Sequence, residues 1–159
     1  MKRSRELRPL SSEHHQALLV AFQLKKSLEG HPEAAGAPRD LPGLVSLVRR
    51  FEAQVFASHA AAEEALLSEH LSAGDRTRLA AEHVELKRLV EHARTAALGE
   101  QRGSLAAFAD LLERHMRWEE RELFPYAESH LDAASLAAIG GELERRLVLA
   151  GQGTRPARR

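Results

Sequence analysis

A chain of 159 residues is long enough to bury one core, and one domain is the natural expectation. Its 23 Lys and Arg against 23 Asp and Glu, interspersed along the length, leave no basic footprint for a nucleic-acid partner. The absence of cysteine removes disulfides, thiolate metal ligands and thiol nucleophiles, so the nine histidines and the carboxylates remain as the strong ligands. No apolar stretch follows MKRSRELRPL, and the run from Ala17 to Phe22 is far too short for a bilayer, so the expected setting is cytoplasmic with no membrane partner.

Helical periodicity places the first helix from a Ser11 or Ser12 cap to about Glu29, with His14, Leu18, Ala21 or Phe22, Lys25 and Leu28 along one side. A Gly- and Pro-rich stretch over 30–43 separates it from a second helix over 44–71, whose stripe reads Leu44, Val48, Phe51, Val55, His59, Ala62 and Leu66. The third runs from an Asp75 cap to Leu98 and carries Leu79, His83, Leu86, Val90, Ala93 and Ala97. The fourth runs from a Ser104 cap to about His130 through Phe108, Leu112, His115, Glu119 and Leu123, and Pro125 predicts a kink or an end near Phe124. A short fifth helix over 133–149, interrupted at Gly140-Gly141, is expected to pack across the end of the bundle. Residues 1–150 form one domain in this reading, and 151–159 a disordered basic tail. Short connections at 72–74 and 99–103 make neighbours antiparallel, so the fold class is all-α, an up-down-up-down four-helix bundle.

The chain writes one helical hairpin twice. SSEHHQALLVAF in the first helix echoes LAAEHVELKRLV in the third, aligning Glu13-His14 with Glu82-His83, and HAAAEE at 59–64 returns as HMRWEE at 115–120. Residues four apart are neighbours on a helix, so His59 with Glu63 and His115 with Glu119 each direct a nitrogen and a carboxylate to one spot. With His14 and His83 added, two hairpins related by a pseudo-twofold axis supply two imidazoles to each of two ions, and two carboxylates able to bridge them. Imidazole and carboxylate without thiolate favour iron first and manganese next, whereas zinc tends toward a closed tetrahedron. The alternative, satisfied core histidines and solvated glutamate pairs, requires burying His14, His59, Glu63, His83, His115 and Glu119 unligated, which is costly. His15 rivals its neighbour His14, and His31, His70, His92 and His130 fall in a loop, near helix ends or off the stripe.

These residues resemble the hemerythrin-like, or HHE cation-binding, domains. The likeness rests on Glu13-His14-His15, His59-x3-Glu63-Glu64, Glu82-His83, His115-x3-Glu119-Glu120 and Leu123-Phe124-Pro125, and spans about residues 10–131. It implies a four-helix bundle around a non-haem diiron centre: two iron ions, Fe2+ or Fe3+, bridged by carboxylates and an oxo or hydroxo group, with manganese or zinc as substitutes. The function it implies is binding of, or reaction with, O2, peroxide or nitric oxide, in sensing or detoxification, by a monomer or homodimer. A weak peroxide- or NO-reactive activity is the enzymatic prospect, and the alternative is a metal-dependent iron or redox sensor, or an interaction module, without turnover. Ferritin-like chemistry is disfavoured, because no Glu here has a His three residues later.

The sequence departs from the oxygen carriers at two points. They carry a further histidine one turn after that of the third helix, where this chain has Lys87, and they place the fourth-helix carboxylate five residues after its histidine, which would select Glu120. The form with two His-x3-Glu pairs looks more like bacterial hemerythrin-like proteins and iron-sensing hemerythrin domains. Glu119 is preferred because it continues the stripe through Leu112 and His115, leaving Glu64 and Glu120 as outer or alternative ligands. Lys87 either reaches back toward the altered position or snorkels to solvent, and Tyr126 and Trp118 are read as redox neighbours or packing residues.

Overall fold

The computed structural model describes residues 3–153, all helix and connections with no strand among them. Helix α1, Arg8–Leu28, begins before the two serines, since Pro9 with its fixed φ suits a first turn and needs no backbone donor there. It ends at Gly30, whose φ of +90° lets His31 N–H return to the Lys26 carbonyl at 2.8 Å. Helix α2 spans 41–66 as Leu41–Phe51, a π-turn Glu52–Phe56 and Ala57–Leu66; it starts earlier than expected because Asp40 accepts the Gly43 N–H as its cap. A 3-10 turn, Ser68–His70, follows where the second helix was expected to continue.

Helix α3 is Ala73–Thr95, with Ser72 rather than Asp75 as its cap: the Ser72 hydroxyl accepts the Asp75 N–H and donates to its carboxylate. Helix α4 spans 98–130 as Leu98–Trp118, a π-turn Glu119–Leu123 and Phe124–His130. The expected loop at 99–103 is therefore its first turns, and Ser104, expected as its cap, is buried inside it, donating to the Glu100 carbonyl. Helix α5, Ala133–Gly153, runs through Gly140-Gly141 without interruption and takes in 151–153; the rest of the expected tail, 154–159, lies outside the described residues.

The two π-turns correct the register read from the sequence. Ala57 N–H bonds Glu52 O and Phe124 N–H bonds Glu119 O, each five residues back, so one extra residue enters each helix. In α2 the insertion turns Phe56 inward instead of Val55, and Phe51 and Phe56, five apart, pack with centroids 6.2 Å from each other. It likewise buries Leu67 where Leu66 was expected. In α4 it lets Leu123 and Phe124 both face inward, and the helix passes Pro125 without ending. In α1 the buried member of the Ala21 or Phe22 pair is Ala21, and Ala97 lies exposed past the end of α3.

The apolar core is split in two. One part gathers Ala17, Leu24, Leu44, Val48, Leu86, Phe108 and Leu112, the other Leu7, Leu10, Leu67, Leu79, Trp118 and Phe124. Every one of α1 to α4 runs from one part to the other, in alternating directions, which makes the up-down-up-down bundle. Helix α5 adds Ile139 and Leu143 to the second part and lies against α1 and α2 as far as the π-turn Glu52–Phe56, so it flanks the first hairpin rather than only crossing the end of the bundle.

Gly140 marks where the chain before α1 crosses α5. A Cβ there would lie 3.0 Å from Glu6 Cα, whereas one on Gly141 would meet only an arginine tip at 3.8 Å. Gly140→Val is expected to cost about 1–3 kcal/mol through this clash. Gly141→Ala should be neutral or stabilising, by up to about 1 kcal/mol. Urea unfolding followed by circular dichroism of both variants checks the contrast, and equal behaviour would mean the crossing bears no strain.

Candidate metal centre

Between the two apolar regions lies a layer of buried ionisable groups. The heptad-like stripes of α1 to α4 turn inward at His14, His59, His83 and His115, and one helical turn beyond the second and fourth stand Glu63 and Glu119. None of the six is more than 2% exposed. Together these are the six residues singled out as candidate ligands, and they converge on one point.

The division of the carboxylate oxygens gives the cluster its form. Glu63 Oε1 lies 3.2 Å from His59 Nε2 and its Oε2 lies 3.3 Å from His83 Nε2. Glu119 Oε2 lies 3.1 Å from His14 Nε2 and its Oε1 lies 2.8 Å from His115 Nε2. Each carboxylate therefore faces both imidazole pairs, His14 with His59 and His83 with His115. Two overlapping groups result, His14, His59, Glu63, Glu119 and Glu63, His83, His115, Glu119, and in each one donor atom from every residue falls within 4.8 Å of the others. Both oxygens of Glu63 and Glu119, with Nε2 of His83 and His115, are buried without a hydrogen bond of acceptable direction, despite these close approaches. Orphaned buried polar atoms of this kind are rare, and six converging on one spot fit a cation set rather than a core.

Residues 74–145 match the family model of the Hemerythrin HHE cation binding domain. Over this stretch the chain is similar to the hemerythrin-like family. Neither a curated protein nor a solved structure matches the chain. The matched stretch holds the second hairpin with His83, His115 and Glu119, and the first hairpin supplies the same pattern by internal duplication.

In this bundle each inner histidine is held from behind by a carboxylate. Nδ1 of His14 donates to Glu120 at 2.8 Å, of His59 to Glu13 at 2.8 Å, of His83 to Glu64 at 2.7 Å and of His115 to Glu82 at 2.7 Å. Such bonds fix the tautomer and point the Nε2 lone pair inward, as in carboxylate–histidine–metal triads. Glu64 and Glu120 thus stand in an outer ring, and Glu119 rather than Glu120 stands inside. Glu13 and Glu82 were missed as outer partners, although the repeated Glu-His pair in the sequence carried the signal. His15 and Lys87 are exposed and away from the centre, and Tyr126 is half-buried against the His130 ring, centroids 3.9 Å apart. Trp118 packs with its ring centroid 6.0 Å from that of His115.

The charges answer one another. Burial opposes protonation of His115, but the charge and close approach of Glu119 and the bond to Glu82 outweigh it and raise its pKa to about 10. Against burial in the same way, contacts with Glu119 and Glu120 raise His14, and the charges of Glu63 and Glu119 nearby, with the bond to Glu13, raise His59 well above its usual value. Burial favours neutral Glu119, yet the His115 charge and the close approach of the His115, His14 and His59 rings hold it well below the usual carboxylate range. Glu120 falls to about 2, since bonds from His14, Ser11 and Arg3 overcome its desolvation.

These shifts fix the pH response of chelator-treated protein. His115 has an ordinary pKa of 6.5 and a folded value of about 10, so its contribution is complete below 6.5 and lost as pH rises through about 10. Glu120 runs the other way, its contribution complete above its ordinary 4.5 and lost as pH falls through about 2. The urea midpoint of metal-free protein should therefore fall steadily between about pH 6.5 and pH 10. A midpoint constant or rising over that range would contradict an imidazolium at position 115.

Proposed function

We propose that His14, His59, Glu63, His83, His115 and Glu119 hold two metal ions, iron in the first place, and that the centre meets O2, peroxide or nitric oxide in sensing or detoxification. The observation that carries this reading is the split of both buried carboxylates between two histidine pairs. A single ion would use one oxygen of each and leave the others buried and unpaired. The family match supports cation binding in general, and the donor set supports iron or manganese over zinc.

A pair of irons supplies redox chemistry on a small bound ligand. The protein's part is to place and shield. The outer carboxylates Glu13, Glu64, Glu82 and Glu120 keep the four imidazoles turned inward, and Phe56 and Phe124, packed on His83 and His14, exclude water from the flanks. Two imidazoles and two carboxylates per group are fewer donors than a six-coordinate iron takes, so coordination positions would stay open for a small ligand. Lys87 replaces the further histidine of the oxygen carriers and is exposed, which favours reaction or sensing over reversible oxygen storage. No helix among the described residues is long and apolar enough to cross a membrane, and we set this role in the cytoplasm.

A sensor without turnover is the second reading, and it is favoured by the position of the ionisable layer across the middle of the bundle, where loss of metal would loosen all four helices. Protein purified without chelator should contain about two irons per chain and show charge-transfer bands in the visible. His59→Ala and His115→Ala should each reduce the content to about one or none. Unchanged content in both variants would refute the ligand assignment. Rapid loss of added peroxide or bleaching by nitric oxide would favour detoxification, and loss of helicity on chelation without turnover the sensor.

A further inference from the structure

The two halves of the centre are not held alike. Glu120, behind His14, is gripped by the chain before α1 and by the first turn of α1: Arg3 Nη2 donates to Glu120 Oε2 at 2.8 Å, and Ser11 donates to its Oε1. The same Arg3 nitrogen donates to the Glu120 carbonyl at 2.7 Å. That carbonyl needs an outside donor for a local reason. Within the π-turn, Phe124 N–H goes to Glu119 O, and the next donor in that register would belong to residue 125, which is proline and has none. Arg3 fills the gap left by Pro125.

The remaining contacts fix the arm in place. Arg3 Nη1 donates to Glu128 Oε2 at 2.9 Å, and Ser4 N–H donates to Glu128 Oε1 at 2.7 Å. The guanidinium lies 5.0 Å from the centroid of Phe124, and that ring stacks on His14 at 5.2 Å with planes 13° apart. Arg3 therefore bears on both groups that orient His14, the carboxylate behind it and the ring beside it. Its side chain is only 15% exposed.

The duplication supplies an internal comparison. At the same offsets in the other half, Glu64 takes the place of Glu120, Ala80 that of Ser11, Glu69 that of Pro125 and Ser72 that of Glu128. Glu64 is 46% exposed and bonds His83 alone among the described residues. The histidine and glutamate pattern thus does not require the clasp, which exists on one side only.

We propose that Arg3 is a positioning residue for His14, acting through Glu120 and Phe124, and that it makes the two metal positions unequal in how firmly they hold an ion. This rests on the two-ion reading above. Loss of an outer-shell partner weakens metal binding by about 10- to 100-fold. In Arg3→Ala, one iron of the pair should leave to a chelator about 10-fold faster than in the parent while the other keeps the parent rate. The nitrogen-bound proton resonance of His14 Nδ1, followed in diamagnetic zinc-loaded protein, should shift or broaden, and that of His83 should not. Arg3→Lys, which restores the charge but not the fork, should recover part of the difference. The release assay is run only on preparations whose parent holds two ions, so failure of the two-ion reading would appear first as parent metal content. Equal acceleration of both ions, or release and resonances identical to the parent, would overturn the positioning role.

Discussion

Everything in this bundle answers to the burial of four imidazoles and two carboxylates across its middle. Isolated charges in such a place cost several kcal/mol each, and neutral forms would leave polar atoms unpaired. The chain meets this in two layers. Inside, opposite charges face one another and point their free atoms at common spots; outside, a glutamate at the rim receives each Nδ1 proton while staying partly in contact with water. The apolar core is split because this layer divides it, and each of α1 to α4 contributes to both parts.

The outer ring follows the duplication in a way that ties the hairpins together. Glu13 and Glu82 hold the histidine of the other helix in their own hairpin, whereas Glu64 and Glu120 reach across to the other hairpin. Separating the halves would therefore break two of the four outer bonds as well as both shared carboxylates. Stability and site are one system here, since the groups that aim the nitrogens are also those that join the hairpins. Exact symmetry fails at the π-turns, which lie before His59 in α2 and after His115 in α4. They adjust the apolar registers on opposite sides of the polar layer and leave both His-x3-Glu spacings α-helical.

Much of this was legible in the sequence because the strongest signals were local and repeated. The four helices, their alternation and the six inner residues follow from period and duplication. What was not legible depended on contacts far along the chain or on small backbone energies. Glycines at 99 and 103 suggested a loop, but the turn needed only Ala96-Ala97, and α4 starts early enough to bury Leu105. Ser11, Ser12 and Ser104 suggested caps, yet Ser11 serves Glu120 and Ser104 pairs with His92. Neither π-turn announces itself in composition. Gly140-Gly141 suggested a break where the reason for glycine at 140 is the crossing chain at Glu6.

The twin glutamates after each His-x3 spacing have a geometric reason. At about 100° per residue, the fourth residue after a histidine returns to within about 40° of it, and the fifth lies about 140° away. Glu63 and Glu119 therefore share the inward face with His59 and His115, while Glu64 and Glu120 swing to the neighbouring helix. There they meet the back of the histidine that the partner helix presents, His83 for one and His14 for the other. One carboxylate of each pair faces the buried cluster and the next holds the imidazole across from it. A shift of either helix by one residue would exchange these roles, leaving a buried carboxylate with no imidazole behind it and an imidazole with no acceptor.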